Sequence, residues 1–541
     1  GEGLRDWIRK GHTKEELLEL AQGCELWPPD DDEDFEYIPD TEPTKAEIMP
    51  AVPASEDDED PFKAAFTDLG NALWFKRLCK DFIIFLPEGR KGGVWMIYTQ
   101  GIWRMDNANV VKTWMAKAVD FMQREMAASG RYPSDKILDW RNKSLSNRGI
   151  SAALSLAQGR MKTDESSFDQ AKWLLPCISG VIDLKTGELL AHDPKYRWTK
   201  RIDLEYDPKV EVSYDDAPKF TKFMLSIFPD EDKKKQWQKI FAVVRCFAVS
   251  LTGDPKFRKW FLLYGSLGRE GKSTIAEFVL FMLGLSVFGI TARKSLICEV
   301  QQESKFSNPG ILKAMRYCIM DEIGKKDKID NEKMKSITGN DTITGDKVYV
   351  DAFSFAPSHY LYVYGNSRPR FDAGGDPAAQ DRCVVIPFLR HFEEHEIDDE
   401  LPANLRKEIK QVFAIFIWAC VDIWQNKSLR LHSFMLEAKE QYLKEEDLFG
   451  QFLAQCVQNV EEAEITAEEL HDTLIWWCRA EQGMNRPWHK NTMGKELHRR
   501  GYKSRNDSNG YTIYLGIQIK PSCIVRQKQH KHRQQVLMEY S

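Results

Sequence analysis

The sequence predicts an α/β protein: a strand–loop–helix core, a mainly helical segment before it, and a small unit of two helices and a β-ribbon after it. Three observations carry this. In "WFLLYGSLGREGKSTIAEFVLFMLG" (Trp260–Gly284) an apolar run stops at a loop holding Gly265, Gly268 and Gly271, and a second apolar stretch follows at helical spacing. Further apolar runs of strand length, "YCIM", "YLYVYG" and "CVVIP", recur downstream between helical patterns. Near the end, "GYKSRNDSNGYTIYLGI" alternates on either side of Asn509-Gly510, a hairpin signal.

Bulk composition sets outer bounds. With 541 residues, 42% hydrophobic and 29% charged, the chain has material for several domains and a large core. A net charge of −6 means that any surface for polyanions must be local. Eleven cysteines, odd in number and without CxxC spacing, imply a reducing, cytoplasmic setting with neither a disulfide framework nor a zinc ribbon. The apolar run "VFAIFIWACV" is too short to span a bilayer and reads as a buried helix, so no membrane association is expected. The first residue is Gly1 rather than Met, as in a fragment or processed chain.

Taken in order, residues 4–27 read as a helix with a short exit, within a connector over 1–27. An acidic, proline-containing linker spans 28–61 and reads as a solvated tether, with an acidic mimic of DNA as the alternative. Residues 62–209 alternate helical patterns with short strands, including a hairpin around Lys185-Thr186-Gly187, and Trp95, Trp103 and Trp173 are taken as core. The α/β core spans 210–445. Residues 446–519 show a helix near 466–481, a second near 491–500, and the ribbon, the order of a winged helix. A basic tail covers 520–541.

The glycine loop has a chemical reading. Strand, loop and helix N-terminus approximate the P-loop, G-x-x-x-x-G-K-[S/T]. Glycines let backbone N–H groups turn inward around a β-phosphate, and the helix N-terminus adds partial positive charge. Lys272 then reaches the β- and γ-phosphates of ATP and Ser273 ligates Mg²⁺, while Gly265, Gly268, Gly271 and Thr274 complete the binding loop. Counted from Gly265 the loop is one residue longer than the pattern; at standard spacing Ser266 takes the first glycine's place. A plain glycine turn before a helix is the alternative.

Downstream, "YCIMDEIGK" ends an apolar run in Asp321 and Glu322, a Walker B pattern. Asp321 would hold Mg²⁺ and Glu322 would polarise the attacking water. A helix ending at Gly339 follows, then two strand-like runs with Lys347 between them. The second run, "YLYVYGN", ends in Asn366, a polar group placed to sense the γ-phosphate. Arg382, in "DPAAQDRCVVIPF", precedes another strand; an arginine there reaches the ATP of a neighbouring subunit, with Arg368 and Arg370 as rivals. "HFEEH" (His391–His395) matches H-x-x-E-H, but without a sustained helix and a further carboxylate no zinc protease is expected.

The order GREGKST, IMDE, SITGND…K, YVYGN and DR-CVVIPF resembles the superfamily 3 helicases, and within them the primase–helicases of phages, plasmids and poxviruses. The resemblance covers about residues 62–440, including the lead-in "SGVIDLKTGELLAHDPKYRWTKRIDLEYDP". It implies an AAA+-like P-loop ATPase core, a hexameric ring, 3′ to 5′ movement on single-stranded and forked DNA, and a phage- or plasmid-encoded protein in a bacterial host. Residues 1–27 resemble the connector after a primase domain, so the polymerising part is expected to be missing. In a ring, the hairpin carrying Lys347 and Tyr349 would face the pore and follow phosphates without reading sequence; a solvated hairpin lysine is the alternative. In the winged helix, Lys490, Lys495, Arg499, Arg500, Lys503 and Arg505 would form a local basic DNA-binding patch, although such units also bind proteins. The expected function is an ATP-dependent replicative DNA helicase. The alternative is an ATP-switched initiator or helicase loader that does not separate strands.

Overall fold

The computed structural model describes residues 60–539 except 89–91, 211, 300–307, 321, 325–326, 348–349, 367–368, 372–376, 482–488 and 509. The helix expected over 4–27, and the acidic linker apart from its last two residues, lie outside the described residues. Helix α1 (Asp68–Cys79) starts where the Thr67 hydroxyl accepts from Gly70 N, satisfying one orphan donor of the first turn. Strands β1 (Ile83–Glu88), β2 (Gly92–Thr99) and β3 (Ile102–Met105) form an antiparallel sheet, and helices α2 (Val110–Ala128), α3 (Ser134–Ser144) and α4 (Asn147–Gln158) follow. The Asp106 carboxylate accepts from Val110 N and Val111 N, each at 2.9 Å, and so starts α2. Val111, Met115 and Ala118, spaced for one helix face, meet Ala72 and Phe75 of α1 and Ala153 and Ala157 of α4 in one apolar cluster.

Past residue 168 the packing changes partner. Strands β4 (Leu174–Pro176), β5 (Val181–Asp183) and β6 (Leu189–Leu190) form a small antiparallel sheet in which Val181 faces Leu190, so the hairpin around Lys185-Thr186-Gly187 is present. Trp173, Leu175, Val181 and Trp198 are buried in the same cluster as Phe220, Phe247, Phe261 and Phe413. Packing thus joins 173–206 to the segment that follows, across the expected boundary near 209, while Ile102 in the same cluster and the bonds from Trp103 to Trp198 O (2.7 Å) and Pro194 O (3.0 Å) keep it tied to the block before it. So small a sheet cannot bury its apolar face alone.

The centre is a parallel sheet in the order β15–β7–β13–β9–β8, formed by β7 (Trp260–Tyr264), β8 (Gly289–Ala292), β9 (Tyr317–Met320), β13 (Tyr360–Gly365) and β15 (Cys383–Pro387). Strands β9 and β15 are buried along their whole length, as parallel strands covered on both faces must be. Around the sheet run α5 (Pro218–Ile227), α6 (Lys233–Ala248), α7 (Lys272–Leu283), α8 (Asn331–Thr338), α9 (Pro377–Arg382), α10 (Leu401–Lys407) and α11 (Ile409–Asn426). The apolar run from 412 to 421 lies inside α11, where Val412, Phe416 and Ala419 are buried. Outside the sheet, β10 (Lys328–Ile329) pairs with β14 (Arg370–Phe371), and β11 (Ile343–Lys347) forms a hairpin with β12 (Val350–Phe355).

Helix α12 (Ser433–Glu446) leads to a unit with its own core: α13 (Leu448–Cys456), β16 (Val457–Thr466), α14 (Ala467–Ala480), α15 (Lys490–Arg499), β17 (Ser504–Asn506), β18 (Thr512–Ile519) and α16 (Pro521–Glu539). The two expected helices and the ribbon are present. Two features differ from expectation. Strand β16 adds a third member to the sheet, in the order β16–β18–β17, and residues 521–539 are helical, with Cys523 buried in this core. Strand β16 escaped notice because "VQNVEEAEIT" is mostly exposed and its register shifts between Asn459 and Glu464, which breaks the alternation.

Candidate functional site

Strand register decides what meets at the carboxyl edge of the parallel sheet. Gly365 of β13 stands opposite Tyr264 of β7, and Tyr362 opposite Ile319 of β9. The chain therefore leaves these three neighbouring strands with Gly265, Asn366 and Glu322 side by side, where ligands of parallel α/β sheets usually lie.

The loop 265–271 then wraps over Lys272. Gly268 and Gly271 take φ of 76° and 86°. At Gly271 there is a steric reason as well: a Cβ there would lie 2.9 Å from Ile227 Cγ2 and 3.1 Å from the Phe223 ring. Lys272, 6% exposed, donates from Nζ to Gly265 O (2.9 Å) and to Asn366 Oδ1 (3.1 Å), and forms an ion pair with Glu270. The Asn366 amide donates in turn to Glu322 Oε1 at 3.1 Å. Lys272, Asn366 and Glu322, separated by up to 94 positions, are thus one hydrogen-bonded chain. Ser273 is exposed in the first turn of α7 and Thr274 half-buried beside it; Asp321 lies outside the described residues. Sequence reasoning passed over Glu270, which is 3% exposed and whose Oε1 accepts from Leu267 N at 2.9 Å. The signal was a carboxylate two residues before the lysine.

The "HFEEH" segment braces this loop. His391 Nδ1 lies 2.8 Å from Gly268 O, and Phe392 N donates to Arg269 O at 3.0 Å. Residues 394–396 form a single 3₁₀ turn, and among the described residues no three His, Cys, Asp or Glu side chains are grouped as metal ligands. Between α5 and this segment opens a cavity of about 570 Å³, with Phe223, Gly271 and Thr274 on one side and Arg390, Phe392 and Leu401 on the other.

The remaining sequence candidates lie elsewhere. Arg382 ends α9 at the opposite edge of the sheet: Cys383 faces Trp260, four residues before Tyr264, or roughly 13 Å at 3.3 Å per residue. Its guanidinium donates to Lys335 O (2.6 Å) and Thr338 Oγ1 (3.1 Å) at the end of α8. Arg370 is in β14, while Arg368 lies outside the described residues. Lys347 pairs with Val350 at the tip of the β11–β12 hairpin; Tyr349 lies outside the described residues. In the last unit Lys490, Lys495 and Lys503 are exposed. Arg499 pairs with Glu496 (2.5 Å) and Arg505 with Glu464 (2.7 Å). Arg500 is bound bidentately to Asp447, at 2.5 and 3.0 Å, and ties α15 to the start of α13. Proximity in sequence had grouped Arg500 with the exposed lysines; its place just past the last turn of α15 sets it against Asp447 instead. Among the described residues no helix is long and apolar enough to cross a membrane.

Comparison with known proteins adds two domain matches. Residues 72–229 match the family described as D5 N terminal like, and residues 263–382 match a family of unknown function, DUF5906; together they take in about half of the chain. The chain is 26% identical over 246 residues to a protein named as a candidate helicase, L207/L206, of Acanthamoeba polyphaga mimivirus, covering 45% of this chain and 24% of the relative. It is 24% identical over 286 residues to another so named, 022R of Frog virus 3, covering 48% of this chain and 28% of the relative. The chain therefore spans only about a quarter of the length of the curated relatives it matches. Among solved structures, the A form apo structure of the NrS-1 C-terminal region aligns over 82% of this chain and 99% of that one, at 10% identity and a TM-score of 0.43. On its ordered motifs, its two domain matches and its viral relatives, the chain belongs to the superfamily 3 type of primase–helicase found in phages and viruses.

Proposed function

We propose that this chain is the ATP-driven motor of a replicative DNA helicase, with an AAA+-like P-loop core and a C-terminal winged helix. The observation that carries the reading is the hydrogen-bonded chain Lys272–Asn366–Glu322 beneath a glycine loop at the carboxyl edge of a parallel sheet. Lys272 grips the β- and γ-phosphates, and the N–H groups of the loop and of the start of α7 surround them. Base and ribose enter the cavity between Phe223 and Phe392. Asn366 orients the attacking water and Glu322 accepts its proton. The exposed Ser273 hydroxyl and the carboxylate of Asp321 are hard oxygen donors that suit Mg²⁺, which supplies charge neutralisation on the phosphates when bound.

Arg382 faces away from the loop of its own chain, so any contact with a nucleotide has to be made in a neighbouring copy; this supports a ring, which we read as a hexamer. The β11–β12 hairpin would carry Lys347 and Tyr349 toward single-stranded DNA in the pore, with movement 3′ to 5′. Lys495, Lys503 and Arg499 are the candidate DNA contacts of the winged helix. Residues 1–27 are read as a connector following a primase domain. The test is unwinding of a 3′-tailed fork by the wild type and by Lys272→Ala. Wild type should separate the strands and Lys272→Ala should not; equal unwinding by both refutes the assignment. An ATP-switched initiator or loader would instead hydrolyse ATP and leave the fork paired.

A further inference from the structure

The nucleotide reading leaves Glu270 without a role. It lies between Arg269 (φ 52°) and Gly271 (φ 86°), in a loop exposed at Ser266, Leu267 and Arg269, yet it is itself 3% exposed. Its carboxylate is held at both oxygens: Oε1 accepts from Leu267 N at 2.9 Å, and Oε2 meets Lys272 Nζ. A loop N–H and a lysine ammonium are the two kinds of donor that a phosphate cradle offers its anion. Lys272 has three N–H donors, and Glu270, Gly265 O and Asn366 Oδ1 are three acceptors within its reach. A side chain on Gly265 would collide with the Glu270 carboxylate, so the first glycine of the loop makes room for that group. The cradle is closed around an anion that belongs to the chain.

We propose that Glu270 is a displaceable internal anion, occupying the phosphate cradle of the nucleotide-free chain and leaving it when a polyphosphate enters. The proposal rests on the nucleotide reading above. Carboxylate and phosphate compete for the same ammonium, and two anions cannot share one desolvated site without strong repulsion. Every polyphosphate therefore binds against the internal ion pair. When the phosphate leaves, the carboxylate returns to Lys272, which favours release of the spent nucleotide.

The experiment is calorimetric titration of the 541-residue chain with ATP, ADP and inorganic pyrophosphate, for the wild type, Glu270→Gln, Glu270→Asp and Lys272→Ala, together with thermal melts of each without ligand. Glu270→Gln should bind all three ligands about tenfold more tightly, equivalent to about 1.4 kcal/mol. Its nucleotide-free form should melt at a lower temperature, because Lys272 has lost its counter-charge. Glu270→Asp, which keeps the charge but falls one methylene short of the ammonium, should bind more tightly than wild type and less tightly than Glu270→Gln. Lower stability with tighter binding separates a displaceable anion from a glutamate that merely supports the loop, whose loss would lower both. Equal or weaker binding by both Glu270 variants, with Lys272→Ala binding nothing, overturns the internal anion and leaves the nucleotide reading standing. A wild type that binds none of the three ligands overturns both.

Discussion

Replacing Arg500 separates a structural from a DNA-contacting role. Its guanidinium makes two bonds to Asp447, the side chains are 23% and 26% exposed, and the group lies 5.4 Å from the centre of the Phe449 ring. Asp447 also accepts from Gly450 N at 2.9 Å, so the pair holds the cap of α13 in place. A partly buried bidentate pair of this kind contributes about 1–2 kcal/mol and the ring contact about 0.5–1 kcal/mol. Arg500→Ala should therefore weaken the C-terminal unit by about 1.5–3 kcal/mol, which corresponds to about 10- to 150-fold more frequent opening. Hydrogen exchange of the whole chain reads this directly, in the amides of α13, α15 and β16–β18. Salt-dependent binding of a single-stranded oligonucleotide is the companion measurement. We expect accelerated exchange and an unchanged slope of log K against log salt. Unchanged exchange with a slope reduced by about 0.7, one phosphate contact on a single strand, would refute the structural assignment.

Gly271→Ala combines a positive φ of 86° with a Cβ 2.9 Å from Ile227 Cγ2, so it should cost about 2–3 kcal/mol; a melting temperature within a degree of wild type would argue against that geometry. Asn366→Ala removes the bridge between Lys272 and Glu322 and should lower kcat of ATP hydrolysis about 100-fold while leaving KM within about threefold. The reverse split, with KM changed and kcat intact, would assign Asn366 to ground-state binding. Burial pushes the His359 imidazole down to about 4, so it is neutral in the fold while the unfolded chain takes up a proton near pH 6.5. Between those values the unfolded state binds more protons. Stability is thus full above about pH 6.5 and falls as the pH drops toward 4, by about 2 kcal/mol at pH 5. Denaturant unfolding of the wild type and His359→Gln at pH 7 and pH 5 checks this, since the pH-dependent difference should disappear in the variant.

Much of the candidate site was legible because its chemistry is local in sequence. Lys272 follows its glycine loop directly, and Glu322 and Asn366 each sit just past an apolar run of strand length. Backbone geometry accounts for that: a phosphate loop needs glycines at positive φ next to a helix start, and polar groups just past parallel strands face the ligand edge. Glu270 was not legible, since a charged residue between an arginine and a glycine reads as solvated until the loop folds it onto Lys272. The role of "HFEEH" was hidden for a similar reason. Its partners are backbone carbonyls more than 120 residues away, and a carbonyl carries no sequence signature.

The amino-acid sequence alone determined the α/β class, the strand–loop–helix core, the helices and ribbon of the last unit, and the order of motifs that marks the family. These depend on periodicity, glycine placement and short-range spacing, which a linear chain displays. Tertiary structure decided which strands are neighbours, and with them that Gly265, Asn366 and Glu322 stand together while Arg382 lies at the far edge. It decided that the sheet from 173 to 206 shares the core of the segment after it, and that Arg500 faces Asp447 instead of solvent. Strand order, register and burial follow from how apolar faces cover one another across the whole molecule, and no short window of residues contains that information.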